Sequence, residues 1–134
     1  MDNSDYDEQI KQFDDNFSSM VDERVRELSL IFDTSFDNND SDSTMRAIQE
    51  SLSLLEQDYN VPTKMQICYN LATSYGNLKN YTNEEHTEKE IYYFRYALDL
   101  YETAYLLGCD NEIEKKIADY IAMRTYTKHP YLVL

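Results

Sequence analysis

The sequence predicts an all-α protein of one domain, with about five helices in antiparallel hairpins. The chain has 134 residues, the length of a single compact domain. It has only two glycines and two prolines, which leaves little material for the turns and bulges of an all-β fold. Apolar residues recur at intervals of three and four along most of the chain, which is the period of an amphipathic helix.

Residues 1–43 are predicted to form one long helix and a loop. Apolar side chains at helical spacing indicate a helix from Tyr6 to Phe32. The stretch 33–43 is rich in Asp, Asn and Ser, which favour caps and turns, so we predict a loop there. Residues 1–43 hold 13 acidic and 3 basic side chains, a net charge of −10, and form the acidic end of the chain.

The next two helices are predicted around Pro62. Ser43 or Thr44 is suited to cap the second helix. Pro62 suits the first turn of the third helix, which is predicted to end at about 79–81. The apolar stripe of the second helix comprises Met45, Ile48, Leu52, Leu55 and Tyr59. The apolar face of the third helix comprises Met65, Cys68, Leu71, Ala72, Tyr75 and Leu78.

Two more helices follow a polar stretch at 82–90, which is either a connector or an extension of the fourth helix. We predict that the fourth helix ends at Gly108, the residue type favoured just past a helix end. Asn111 and Glu114 have the spacing of a capping box and open the fifth helix, which ends at His129 and Pro130. Residues 128–134 form an apolar tail that we expect to dock on this subunit or another. The fourth helix buries Ile91, Phe94, Ala97, Leu98, Tyr101, Ala104 and Tyr105, and the fifth buries Ile113, Ile117, Tyr120 and Ile121.

The charge and the cysteine content argue against several classes of function. Lys and Arg total 12 and Asp and Glu total 26, giving a net charge of −14. This argues against direct binding of nucleic acid or an anionic membrane, because phosphate contacts need basic surface. Cys68 and Cys109 lie far apart, which suggests neither a disulfide framework nor a zinc knuckle. The acidic start is unlike a secretory signal, so we expect a cytoplasmic protein.

Two segments resemble a tetratricopeptide repeat. Residues 68–75 with 78–81 are similar to its first helix and turn, and residues 93–100 are similar to its second helix. The chain departs from the pattern in having about six extra residues before Glu90 and a cysteine where a large aromatic is usual. The resemblance implies a short array of helical hairpins over residues 44–127. It also implies an interaction module with no chemistry of its own.

The resemblance also implies a binding groove. In these repeats the first helix of each pair lines a concave surface that accepts a peptide. The positions that map there are Gln66, Tyr69, Asn70, Thr73 and Asn77. They could hydrogen-bond to the main chain of a peptide, or they could be ordinary solvated surface. Since none of them is Lys or Arg, the sequence disfavours a clamp for a carboxylate.

A second hypothesis comes from the acidic end. Its carboxylates could imitate the phosphates of a nucleic acid and block a DNA- or RNA-handling enzyme by binding its basic groove. The alternative is a solvated face that keeps the protein in solution. The side chains concerned are Asp2, Asp5, Asp7, Asp14, Asp15, Asp22, Glu23, Asp33, Asp37, Asp40 and Asp42.

No motif indicates catalysis. The sequence has no nucleotide-binding glycine loop, no nucleophile elbow and no convincing metal-ligand spacing, so we expect neither an enzyme nor a cofactor. The 13 tyrosines exceed what one core accommodates, and exposed tyrosines favour a protein interface or self-association. We therefore expect a partner protein, recognised through a basic surface because of the negative field of this chain.

Overall fold

A computed structural model of the chain describes residues 3–82, 86–106 and 111–128, without the side chains of Asn3 and residues 79–82. The described residues contain six helices and no strand, so the all-α class is confirmed and the expected number of helices is one too few. A five-residue π-helical turn, Glu102–Leu106, continues α5. The helices are α1 (Asn3–Met20), α2 (Glu23–Asp37), α3 (Ser41–Leu55), α4 (Val61–Thr82), α5 (Thr87–Tyr101) and α6 (Glu112–Lys128).

The long first helix predicted from Tyr6 to Phe32 is wrong, because the chain breaks between α1 and α2. Asp22 is the N-cap of α2, and its carboxylate accepts a hydrogen bond from the Arg24 amide at 2.9 Å. The start of α4 holds the break in place. Asn60 Nδ2 donates to the Met20 carbonyl at 2.7 Å, and Thr63 Oγ1 accepts from the Asp22 amide at 3.1 Å.

The loop predicted at 33–43 is also wrong, since only residues 38–40 separate α2 from α3. Asn39 has φ 54°, a left-handed conformation that asparagine tolerates better than most residues. The N-cap of α3 is Asp40 rather than Ser43 or Thr44. Its carboxylate accepts from the amide of Ser43 at 3.1 Å and from its hydroxyl at 2.7 Å. The boundary predicted between the acidic end and the repeats at residue 43 therefore falls inside α3.

Helices α2 and α3 form a tight hairpin with an ion pair on its surface. Arg24 Nε and Nη2 donate to the two carboxylate oxygens of Glu50 at 2.6 and 2.7 Å. Hydrogen bonds from the guanidinium hold the pKa of Glu50 below its ordinary value. Ile48 is buried as predicted, whereas Met45, predicted on the same apolar stripe, is 41% exposed.

Helices α4 and α5 form the most extensive helix contact among the described residues. Tyr69 contacts Phe94, with ring centroids 6.0 Å apart, and Tyr75 stacks on Tyr93 at 5.8 Å. Contacts pair later residues of α4 with earlier residues of α5, so the helices are antiparallel, as predicted. Ala72 and Ala97, the small residues of the repeat-like pattern, are both fully buried.

Two tyrosine hydroxyls join the end of α5 to α6. Tyr101 donates to the Asp119 carboxylate, and Tyr105 donates to Glu114 Oε1 at 2.7 Å. Burial, together with the hydrogen bond to Asp119, raises the pKa of Tyr101 to about 12. Asn111 accepts from the Glu114 amide at 3.0 Å, so the predicted capping residue is confirmed, but the Glu114 carboxylate bonds to Tyr105.

Helix α4 is the centre of the fold and is buried on more than the predicted face. It begins beside Pro62 as expected but continues to Thr82 instead of fading at 79–81. The six apolar side chains predicted for its packing face are all buried. The opposite face is buried as well, because α2 and α6 pack against it. The additional buried residues on α4 include Gln66, Ile67, Tyr69, Asn70 and Ser74.

Helix α1 packs across α6 through aromatic rings. Phe13 and Phe17 meet the Tyr120 ring edge-on, at centroid distances of 5.0 and 6.2 Å. The predicted core position Ile113 is 45% exposed. The predicted helix ends at Gly108 and at 129–130, and the tail beyond Lys128, lie outside the described residues. Within the described part of the chain, no helix combines the length and the apolar character that a membrane span requires.

The central position of Cys68 yields a testable consequence. Its side chain is fully buried, and desolvation raises the pKa of the thiol to about 12. Since the thiolate is the reactive form, a Cys109→Ser variant should not react with a disulfide reagent at about pH 8 until it is unfolded. The absorbance of the thiolate that the reagent releases measures the reaction. Stoichiometric labelling of the folded variant within minutes would contradict the burial.

Candidate functional site

A cleft of about 560 Å³ lies among α2, α4 and α6, with Phe17 of α1 at its edge. All five residues predicted from the resemblance line it, so the structure brings them together. We call this feature the polar cleft. Its lining comprises Phe17, Arg26, Ser29, Leu30, Phe32, Asp33, Phe36, Gln66, Tyr69, Asn70, Thr73, Asn77, Arg124 and Lys128.

The floor of the polar cleft is a hydrogen-bonded layer between α2 and α4. Gln66 Nε2 donates to Asn70 Oδ1 at 2.9 Å, and the Ser29 hydroxyl donates to the same oxygen at 3.0 Å. Gln66 and Asn70 are only 2% and 4% exposed, and Tyr69 is 6% exposed. The alternative that these three are solvated surface is therefore wrong. They combine a structural role with a place in the cleft.

One acceptor on this floor has no partner. Gln66 Oε1 is buried and makes no hydrogen bond among the residues that the structure describes. A buried acceptor left unpaired costs about 1–3 kcal/mol, and rotating the amide would place its oxygen against Asn70 Oδ1, a second acceptor. Gln66 Oε1 is therefore a buried acceptor that no described residue satisfies.

The next turns of α4 carry the two remaining predicted residues, Thr73 and Asn77, both half-buried. The Thr73 hydroxyl bonds back to its own helix, at 3.1 Å from the carbonyls of Tyr69 and Asn70. No hydrogen bond engages the Asn77 side chain within the described ranges. Asn77 therefore retains both the donor and the acceptor of its amide for another molecule.

Three basic side chains also line the polar cleft. The sequence patterns did not predict them there. Arg26 comes from α2, and Arg124 and Lys128 come from successive turns of α6. The Arg124 guanidinium lies 4.5 Å from the Tyr69 ring centroid. Arg26 Nε donates to the Val21 carbonyl at 3.0 Å.

These cations have no anionic partner. Among the described residues, no carboxylate lies within the 4.0 Å of an ion pair from Arg26, Arg124 or Lys128. Asp33 is the only carboxylate among the described lining residues. The five positions predicted on α4 include no lysine or arginine, and the basic side chains of the polar cleft come from α2 and α6. The spacing of Arg124 and Lys128, which puts them on one helical face, was the available signal.

The acidic residues of the second hypothesis are spread over α1, α2 and the start of α3, and two of them have structural roles. Asp22 and Asp40 are N-caps, and hydrogen bonds from Ser43 lower the pKa of Asp40. Asp2 lies outside the described residues. Imitation of a nucleic acid stays a prediction. The exposed members are Asp5, Asp7, Asp14, Asp15, Glu23, Asp33, Asp37, Asp40 and Asp42.

Comparison with known proteins does not place the chain in a family. It matches no family model, no curated protein and no solved structure. In the described parts of the chain, no group of three or more His, Cys, Asp or Glu side chains is arranged to hold a metal ion. The function is therefore argued from the polar cleft itself.

Proposed function

We propose that this chain is a non-enzymatic protein-interaction module that holds a peptide segment of a partner protein in the polar cleft. The observation that carries the proposal is the convergence in one cleft of Arg26, Arg124 and Lys128, none of which pairs with a carboxylate among the described residues. A binding site presents a few such polar groups within a largely preformed cavity.

The helix arrangement supports a repeat-like array. Helix α2 pairs with α3, α4 pairs with α5, and the alternate helices α2, α4 and α6 line the polar cleft. The first helices of successive tetratricopeptide repeats line a peptide groove in the same alternation. The resemblance would then extend upstream of residue 44, because α2 provides the first helix of the first pair.

The chemistry of the polar cleft suits an extended acidic peptide. Asn77 offers the donor and the acceptor of its amide to the peptide main chain. Arg124 and Lys128 suit a carboxylate, and a charge-assisted hydrogen bond to such a group is stronger than a neutral one. Leu30, 67% exposed, and Phe36 provide apolar surface at the rim. This proposal replaces the basic partner surface expected from the net charge, because the local charges of the cleft are positive.

Selection from a random dodecapeptide phage library on the immobilised chain tests the proposal. We expect enriched peptides that combine Asp or Glu with an apolar side chain. Arg124→Gln and Lys128→Gln should each weaken the binding of a selected peptide about tenfold, as the loss of one charge-assisted hydrogen bond predicts. Fluorescence anisotropy of the labelled peptide measures the affinity.

Lys116→Gln is the matched control, since Lys116 is exposed on α6 outside the polar cleft. It removes the same charge and should leave the affinity within about twofold. Thermal unfolding of each variant verifies that the fold is intact. Enrichment of no peptide, or equal loss in all three variants, would contradict the proposed function.

A further inference from the structure

The outer face of α5 carries a second cavity, of about 620 Å³, unrelated to the polar cleft. Its described lining comes from α5 and the π-helical turn: Glu88, Ile91, Tyr92, Arg95, Tyr96, Asp99, Leu100 and Thr103. We call this surface the α5 face. Among the described residues, none lines both this cavity and the polar cleft.

One aromatic side chain, Tyr92, is exposed on the α5 face, and the half-buried Tyr96 lies beside it. Tyr92 is 58% exposed, although it lies in the middle of a helix whose other side is core. Its ring meets Tyr93 edge-on at 5.0 Å and Tyr96 at 6.1 Å. These rings hold one another in place, so a contact formed by Tyr92 would require little additional ordering. An exposed ring that is supported by such a cluster is typical of a protein interface.

Two of the three charged residues on the α5 face, Arg95 and Asp99, are opposite in sign and one turn apart. Arg95 and Asp99 are both exposed, and their spacing puts them on the same side of α5. Among the described residues, Arg95 has no carboxylate within ion-pairing distance. Arg95 and Asp99 therefore complement each other on the same surface, which is the property a symmetric interface needs, whereas Glu88, at the N-terminal end of this face, has no basic complement among the described residues that line it.

A second copy of this chain provides the opposite charge for both Arg95 and Asp99. If two α5 helices pack antiparallel about a two-fold axis at the level of Ala97, Arg95 of each copy lies beside Asp99 of the other. The same axis brings Tyr92 of each copy near Glu102 of the other, so that a hydroxyl donor meets a carboxylate acceptor. We propose that the α5 face is the interface of a symmetric, antiparallel homodimer.

The size of the face predicts a weak dimer. Residues 88–103 span about 23 Å of helix, and one helix face of that length buries less than the roughly 1,200–2,000 Å² of a stable complex. The chain also carries a net charge of −14, which opposes association until salt screens it. We therefore expect dimers at high micromolar concentration and at physiological or higher ionic strength.

Sedimentation velocity of the full chain from about 5 to about 500 µM, at about 150 mM salt, tests the proposal. We expect a monomer at the lowest concentration and a growing dimer fraction above it. Arg95→Asp should raise the dimer dissociation constant at least tenfold, because it places two carboxylates opposite each other at both symmetric positions. The double variant Arg95→Asp/Asp99→Arg should restore association, because the pair stays reciprocal.

Lys116→Glu is the control, since it makes the same charge change at an exposed position outside the α5 face. It should dimerise as the wild-type chain does. A wild-type chain that stays monomeric at about 500 µM overturns the proposal. The α5 face would then be an interface with another protein. The proposal is also overturned if Arg95→Asp weakens dimerisation no more than Lys116→Glu does. It is overturned as well if the double variant stays monomeric.

Discussion

Replacement of Phe94 by alanine should lower the free energy of unfolding by about 3–5 kcal/mol, the largest effect expected of a single substitution in this chain. Phe94 is only 1% exposed, and its ring contacts Tyr69 at a centroid distance of 6.0 Å. The substitution opens a cavity where α4 and α5 pack, and the neighbouring helices close it only in part. The midpoint of urea denaturation, followed by circular dichroism, measures the loss.

Tyr92→Ala is the matched control for this prediction. Both residues are aromatic and both lie on α5, but Tyr92 is 58% exposed. At low micromolar concentration, below the range in which we propose dimers, the control should change stability by less than about 0.5 kcal/mol. Equal losses in the two variants would show that the burial of Phe94 does not determine the stability of the hairpin.

Thr63→Val should lower the free energy of unfolding by about 1–3 kcal/mol, the typical cost of an unpaired buried polar group. Valine keeps the shape of threonine, but it removes the oxygen that accepts the Asp22 amide at 3.1 Å and donates to the Met20 carbonyl at 3.3 Å. Because these bonds hold the break between α1 and α2, the amides of α1 should also exchange with solvent faster in Thr63→Val than in the wild-type chain.

Thr127→Val is the control for the hydroxyl, because Thr127 is exposed on α6 and bonds only to its own helix, at 2.9 Å from the Met123 carbonyl. We expect it to change stability by less than about 0.5 kcal/mol and to leave exchange in α1 unaltered. Hydrogen exchange read by mass spectrometry follows both variants. Unchanged protection of α1 in Thr63→Val would contradict the role of α4 in holding the break.

The central hairpin could be predicted from sequence because its signals are local. The spacing of Met65, Leu71 and Leu78 marks the packing face of α4, and all three are buried. Asn111, the residue type that accepts first-turn amides, marks the start of α6 and caps it. Each of these signals depends on neighbours within one or two helical turns.

The break between α1 and α2 illustrates what a local pattern misses. Residues 20–23 contain neither proline nor glycine, so nothing nearby interrupts the helical spacing. The chain turns there because Asn60 and Thr63, about forty positions later, provide partners for the backbone groups that a broken helix exposes. Those partners are visible only once α4 lies beside the break.

The polar cleft could likewise be predicted only in part from the sequence. The positions on α4, such as Asn70 and Asn77, could be found from the helical period and the resemblance. The cations could not, because Arg26 and Arg124 belong to helices that meet α4 only in the folded chain. Sequence alone thus determined the helical class and the core of α4, since helical periodicity and capping act over short distances, and the resemblance pointed to five residues that line the polar cleft. Tertiary packing decided the break, the burial of the cleft floor and its positive charge, since these depend on groups that are distant in the chain.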